Sequence, residues 1–265
     1  MRCLMQAALV VMPLCLIAGA VAAQTQVIQQ NSTSSEPDVV QQNNVSVNGE
    51  GSSVTISGHS ISVDTAATGR GRVIGAGQPA SQERPIGPVT AIHSDGAFAL
   101  TITSGPAPKL TIETDKNLLP IIKTTVSNGR LDVYSDQSYS VDGRIKITVA
   151  SPVITEISAS GSNRIDAQGF TGGPLTVALN GSNTATLAGR ATALTGVLSG
   201  ANHLAAQGLA ADSTKLTLNG SGDAVVDARQ AITAQINGAG SVTVYGDPQS
   251  RSTQVNGAGK ITFAQ

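Results

Sequence analysis

Asn180-Gly181-Ser182-Asn183-Thr184-Ala185-Thr186-Leu187 is followed by Ser199-Gly200-Ala201-Asn202-His203-Leu204-Ala205-Ala206 and then by Asn219-Gly220-Ser221-Gly222-Asp223-Ala224-Val225-Val226. The same pattern, a short turn containing glycine and then apolar residues at alternate positions, also starts at Ser160, Asn237 and Asn256. Its first glycines are Gly161, Gly181, Gly200, Gly220, Gly238 and Gly257, so the spacings are 20, 19, 20, 18 and 19 residues. A fixed period of this size marks a stacked solenoid. One such unit is too short to bury its own apolar side, and neighbouring units must stack to make a core.

Aligned on the residue before each glycine, the preceding position reads Ala159, Leu179, Leu198, Leu218, Ile236 and Val255. Five residues after the alignment point stand Ile165, Ala185, Leu204, Ala224, Val242 and Ile261, and two further on Ala167, Leu187, Ala206, Val226, Val244 and Phe263. This is the two-residue alternation of half-buried strands. The pattern predicts an all-β, single-stranded parallel β-helix (β-solenoid) of about six coils of 18–20 residues, right-handed as parallel crossovers are, with three inward ladders. The glycines supply the positive φ of a sharp corner. Asn180, Asn219, Asn237 and Asn256 share one column with Ser160 and Ser199, and are read as structural turn residues whose amides hydrogen-bond along the stack.

Composition narrows the function classes. Charged residues are 12% of the chain, against about 25% in ordinary domains, so its surface is built from Ser, Thr, Asn, Gln and Gly. Aromatics are 2% with no Trp, which leaves few stacking platforms for bases or sugars. A formal net charge of −1 with no basic run argues against a nucleic-acid partner.

Arg2, the apolar run from Ala7 to Ile17 and the small residues Ala20-Val21-Ala22-Ala23 read as a secretory signal, cleaved near residue 22 or 23. Export to the periplasm or the cell surface follows, with no transmembrane segment after cleavage. Both cysteines, Cys3 and Cys15, lie in that signal, so the mature chain has no thiol chemistry. Residues 24–83 read as a polar leader and linker, with the alternating pairs Val45/Val47, Val54/Ile56 and Ile61/Val63 as strands over the first coils or as loose segments. The glycine run from Gly69 to Gly77 reads as linker, with a domain boundary near Glu83. Beyond it come alternating runs at Phe98–Ile102, Leu110–Ile112, Ile122–Val126, Leu131–Val133 and Ile145–Val149, with a hairpin signal at Asn128-Gly129. They predict a less regular β segment that caps the amino-terminal side of the coils.

Five elements in order resemble the bacterial head GIN domain family, whose members carry the label auto-transporter adhesin. They are Arg84-Pro85-Ile86-Gly87-Pro88-Val89-Thr90-Ala91-Ile92, Gly96-Ala97-Phe98, Asp115-Lys116-Asn117-Leu118-Leu119-Pro120, Asn128-Gly129-Arg130-Leu131 and the repeat from Ser158 to Asn163. The resemblance covers residues 84–265. It implies an exported β-solenoid with no established enzymatic activity. The family's turns often read Ser-Gly-Ser-Gly-Asp, and here only Gly220-Ser221-Gly222-Asp223 keeps the acid.

Candidate chemistry is sparse. A calcium nonapeptide array needs its acid at every repeat, and Asp223 occurs once. His59, His93 and His203 stand far apart without acidic or histidine neighbours at ligand spacing, and no Gly-x-Ser-x-Gly elbow is present. Asp166, Asp223 and Asp227 fall out of register, while Arg190, Arg229 and Asp247 share a column in which Arg229 and Asp247 are read as a surface ion pair. No catalytic, metal or cofactor residues are assigned. The expected function is a non-enzymatic interaction module, adhesin-like, for an envelope protein or surface glycan. A periplasmic structural or sensory partner is the alternative, and a polysaccharide-active β-helix enzyme the third reading. At the carboxyl end, Lys260 to Ala264 form the last strand. Either the amino-terminal segment folds over it or two copies pair there as a homo-oligomer.

Overall fold

The computed structural model describes residues 53–57, 60–64 and 72–264, in two compact units that divide after Gly71. The signal at residues 1–23, both cysteines, the Val45/Val47 patch and His59 lie outside the described residues. In the first unit β1 (Ser53–Ser57) and β2 (Ser60–Asp64) form an antiparallel hairpin, with Val54 opposite Val63 and Ile56 opposite Ile61.

The second unit begins with β3 (Val73–Ile74), β4 (Pro79–Arg84), β5 (Ala91–Gly96), β6 (Phe98–Ser104) and β7 (Lys109–Asp115). After a 3-10 turn at Leu119–Ile121 come β8 (Ile122–Ser127), β9 (Arg130–Ser135), β10 (Tyr139–Ser140) and β11 (Ile145–Ser151). The repeats follow as β12 (Glu156–Gly161), β13 (Arg164–Thr171), β14 (Pro174–Gly181), β15 (Thr184–Gly200), β16 (His203–Gly220), β17 (Asp223–Gly238), β18 (Ser241–Tyr245), β19 (Ser250–Asn256) and β20 (Lys260–Phe263).

Glu83, where composition places a boundary, lies inside β4, which pairs antiparallel with β7. The later half of the glycine run is also anchored. Val73–Ile74 pairs with Tyr139–Ser140, the Ala76 amide donates to Asn117 Oδ1 at 3.1 Å, and the Gly77 amide donates to Asp115 Oδ2 at 3.0 Å. Glycine content signals a bend and is blind to distant partners that fix it.

Each coil has two flanks joined at the Gly-containing corner. On the first flank the ladder runs β8, β9, β5, β12, β14, then the later halves of β15, β16 and β17, and ends at β19. On the second it runs β4, β7, β11, β6, β13, then the earlier halves of β15, β16 and β17, and β18 to β20. The repeats stack in parallel register throughout, and only the outermost pairings, β8 with β9, β4 with β7 and β7 with β11, are antiparallel.

The three apolar columns point inward. Ala159, Leu179, Leu198, Leu218 and Ile236 are at most 2% exposed, while Val255 in the last coil is 39% exposed. Across the second flank, large and small residues alternate in two columns out of phase: Ile165 beside Ala167, Ala185 beside Leu187, Leu204 beside Ala206, Ala224 beside Val226. These four coils thus each bring one bulky and one smaller residue to a narrow interior, whereas β6 before them brings Leu100 with Ile102 and β18 after them Val242 with Val244. A Leu above a Leu in both columns would overfill it, and an Ala above an Ala would leave a void.

The two ends are finished differently. At the amino-terminal end Arg84, on β4 of the second flank, crosses to the first: its guanidinium donates to Ile122 O at 2.8 Å, Leu119 O at 3.0 Å and Thr124 Oγ1 at 2.9 Å. Burial lowers its pKa from the ordinary value. At the carboxyl-terminal end Arg251 of β19 lies over the Phe263 ring of β20, 4.3 Å from its centroid, and also donates to Asp247. All seven residues of β19 are exposed.

Candidate functional site

The corners are set by contacts between successive glycines. Gly161, Gly181, Gly200, Gly220, Gly238 and Gly257 have φ between +98° and +138°, and a Cβ on any of them would stand 2.3–2.4 Å from the carbonyl oxygen of the glycine one coil earlier. For Gly161 that neighbour is Gly96, paired with it in register. The glycine column therefore begins one coil before the repeat that the sequence reveals. The sequence shows Gly96 only as part of a family element and not as a corner, because its following strand, Phe98 to Ser104, is continued by Lys109–Asp115 rather than by the next coil.

Two asparagine ladders run along these corners. The inner one uses the fourth turn residue: Asn163, Asn183 and Asn202 are at most 2% exposed. Asn163 donates through its backbone N at 2.8 Å and Nδ2 at 3.0 Å to Asn183 Oδ1, and Asn183 donates likewise at 2.9 Å and 2.9 Å to Asn202 Oδ1. Asn163 Oδ1 in turn accepts from Ser94 Oγ and the Phe98 amide. The later coils carry Gly222, Gly240 and Gly259 at this position. The outer ladder uses the first turn residue and runs the other way: Asn256 Nδ2 donates to Asn237 Oδ1 at 2.9 Å, and Asn237 Nδ2 to Asn219 Oδ1 at 2.8 Å. Asn180, the fourth member of that column, stands between Ser160 and Ser199 and has no amide neighbour. Sequence reading singles out the outer column and misses the inner one, although Asn at the fourth turn position in three consecutive coils was the available signal.

The outward side of the first flank is a flat face of three columns. One reads Arg130, Ala91, Glu156, Thr176, Thr195, Lys215, Thr233, Ser252; the next Asp132, His93, Ser158, Ala178, Val197, Thr217, Gln235, Gln254; the third Tyr134, Asp95, Ser160, Asn180, Ser199, Asn219, Asn237, Asn256. Ionisable residues gather over β9, β5 and β12. From β14 onward Lys215 is the one ionisable residue in these columns, and the rest of that surface is hydroxyl, amide and small apolar groups.

Both described histidines have partners that chain distance conceals. His93 Nδ1 lies 3.1 Å from Ser158 Oγ, with Asp132 next in register on its other side. His203 Nδ1 bonds Asp223 of the following coil, with Thr184 of the preceding coil across from it. The expectation that these histidines lack acidic neighbours is thus corrected: stacking supplies them from about 20–40 residues away. The Arg229–Asp247 pair is also corrected, since Asp247 bonds Arg251 of the following strand β19, while Arg190 approaches Asp212 at 3.8 Å. Among the described residues no group of three or more His, Cys, Asp or Glu is placed to hold a metal.

A family model described as "Putative auto-transporter adhesin, head GIN domain" matches residues 88–248, more than half of the sequence. The chain belongs to the head GIN domain family. Its fold is similar to that of a "putative adhesin" from Bacteroides fragilis NCTC 9343, with a TM-score of 0.60 at 18% identity, covering 72% of this chain and 100% of that one. A "putative adhesin" from Parabacteroides merdae ATCC 43184 aligns over 73% of this chain and 99% of its own at 18% identity, with a TM-score of 0.45. No curated protein sequence matches the chain. Within this head GIN domain the corners and inward columns account for the repeat. The outer asparagine ladder occupies the third outward column, while the first two outward columns lie outside the corners and the interior. No described helix is long and apolar enough to cross a membrane.

Proposed function

We propose that this head GIN protein is an exported, adhesin-like interaction module that engages an envelope or surface partner through the flat face of its first flank. The observation that carries the reading is the contrast across that face: from β14 onward three columns, of Thr, Ser, Asn and Gln apart from Ala178 and Val197, are held in register with Lys215 as their one ionisable member. Family membership supports it. A rigid array of this kind presents many small contacts at fixed spacing, roughly 4.8 Å from coil to coil. Such a surface has little use for a single small substrate and suits an extended partner.

The test is a pull-down with the mature protein against envelope extracts and glycan fractions, paired with protease accessibility on intact cells. Retention of a reproducible partner together with surface cleavage supports the module. Turnover of a glycan by purified protein, with no retained partner, would overturn it.

A further inference from the structure

We infer that the later coils of the first flank bind an uncharged, extended polysaccharide laid across the coils, with Thr217, Asn219, Gln235, Asn237, Gln254 and Asn256 as its contact grid. This rests on the interaction-module reading and narrows it to a ligand class and a region.

The grid is a two-by-three array. Thr217, Gln235 and Gln254 form one column and Asn219, Asn237 and Asn256 the adjacent one, each set in direct register across β16, β17 and β19. The amides orient one another: Gln235 Nε2 donates to Asn237 Oδ1 at 3.3 Å and Gln254 Nε2 to Asn256 Oδ1 at 3.4 Å, in addition to the bonds along the Asn column. Each Asn amide has two N–H donors and two acceptor lone pairs. The ladder uses one N–H of Asn237 and Asn256, which leaves a second donor per amide for a ligand. A sugar hydroxyl both donates and accepts, and so matches a surface whose groups do the same.

Charge decides between partners. Nucleic acids, acidic glycans and charged peptides would desolvate many ionic groups against a grid that itself holds no charge, and Lys215, beside Thr217 on β16, offers a polyanion one cation only. A neutral polyhydroxy chain brings no ionic groups. The grid also has no aromatic ring on which a sugar could stack, so each coil contributes only weak polar contacts. Useful affinity then requires several coils engaged at once, as in any multivalent contact. The ligand must therefore be a polymer whose repeat tracks the coil spacing of roughly 4.8 Å, and a short oligosaccharide of the same sugar must bind poorly.

The experiment is sedimentation of the full chain with insoluble neutral β-linked glucan and chitin, repeated with soluble trisaccharides of the same sugars as competitors and with an acidic polysaccharide as comparison. The expected result is retention by a neutral polymer, no displacement by a trisaccharide at the same sugar concentration, and roughly tenfold weaker retention for Gln235→Ala/Gln254→Ala. Those two side chains lie on the outward face and bond the Asn column only from its side, leaving the bonds along that column in place, so the variant keeps its fold, which circular dichroism and urea midpoint verify. Thr186→Ala/Thr243→Ala, on the second flank, is expected to bind as the parent does. Binding of acidic polymer alone, equal affinity for trisaccharide, or retention unaffected by the double Gln variant would overturn the inference. Capture of an envelope protein with no neutral polymer bound would also overturn it, while leaving the broader interaction module standing.

Discussion

The first three corners of the repeat and the last three solve one problem with opposite chemistry. In the earlier coils the fourth turn residue is an asparagine whose buried amide satisfies the backbone of the coil beside it. In the later coils that residue is glycine, packed close to the preceding coil, and the amides stand outside on the first turn residue. The corner glycine keeps a positive φ in both, +98° to +106° in the earlier three and +129° to +138° in the later three. What differs is where each coil stores its polar bonds: inside, where losing one leaves an unsatisfied group, or outside, where water replaces it.

Four substitutions test this contrast, measured by urea unfolding of the purified chain. The largest effect belongs to neither solution but to the corner both share. Gly200→Val meets a φ of +104° and the Gly181 carbonyl oxygen 2.4 Å from its Cβ, and should cost about 4 kcal/mol or abolish folding. Next, Asn183→Leu removes the acceptor of two bonds from Asn163 and strands a buried backbone N–H, for a loss of about 3 kcal/mol. Grafting the earlier solution onto a later coil should fail: in Gly222→Asn the new Cβ stands 2.4 Å from Asn202 O, so the ladder is not extended and stability falls by about 2 kcal/mol. The smallest effect is that of Asn237→Ala, whose amide is outside and whose bonds water can replace, at about 1 kcal/mol or less. If Asn237→Ala proved as costly as Asn183→Leu, the distinction between inner and outer ladders would be wrong.

The regular coils were legible because their spacing is local: Gly181, Gly200 and Gly220 recur about every 19 residues, and Leu179, Leu198 and Leu218 precede them. What escaped was everything that depends on strands far apart in the chain. Gly96 belongs to the corner column, yet its coil is separated from the next by the segment that makes β7 to β11. The His203–Asp223 contact spans one coil, and chain separation hides a neighbour that stacking creates. The inner and outer asparagines look alike in sequence. Only the direction of the corner decides that Asn183 turns inward and Asn219 outward. Arg84 stands in the sequence as one residue of a family element, and its task of joining both flanks depends on bonds to Ile122 O and Leu119 O, which belong to no strand that pairs with β4.

The coil made of β5 and β6 is sandwiched between β9 with β11 on one side and β12 with β13 on the other, all of them later in the chain. A polypeptide delivered across a membrane with its amino end first cannot give residues 91–104 a lasting neighbour until the segment that follows has also emerged. Every winding after β13, by contrast, finds its template already in place and adds by zippering over a short loop. Assembly therefore has a slow, non-local nucleation step at one end and rapid local growth toward the other. During that interval the edges of β5 and β6 stand unpaired and open to capture by other strands.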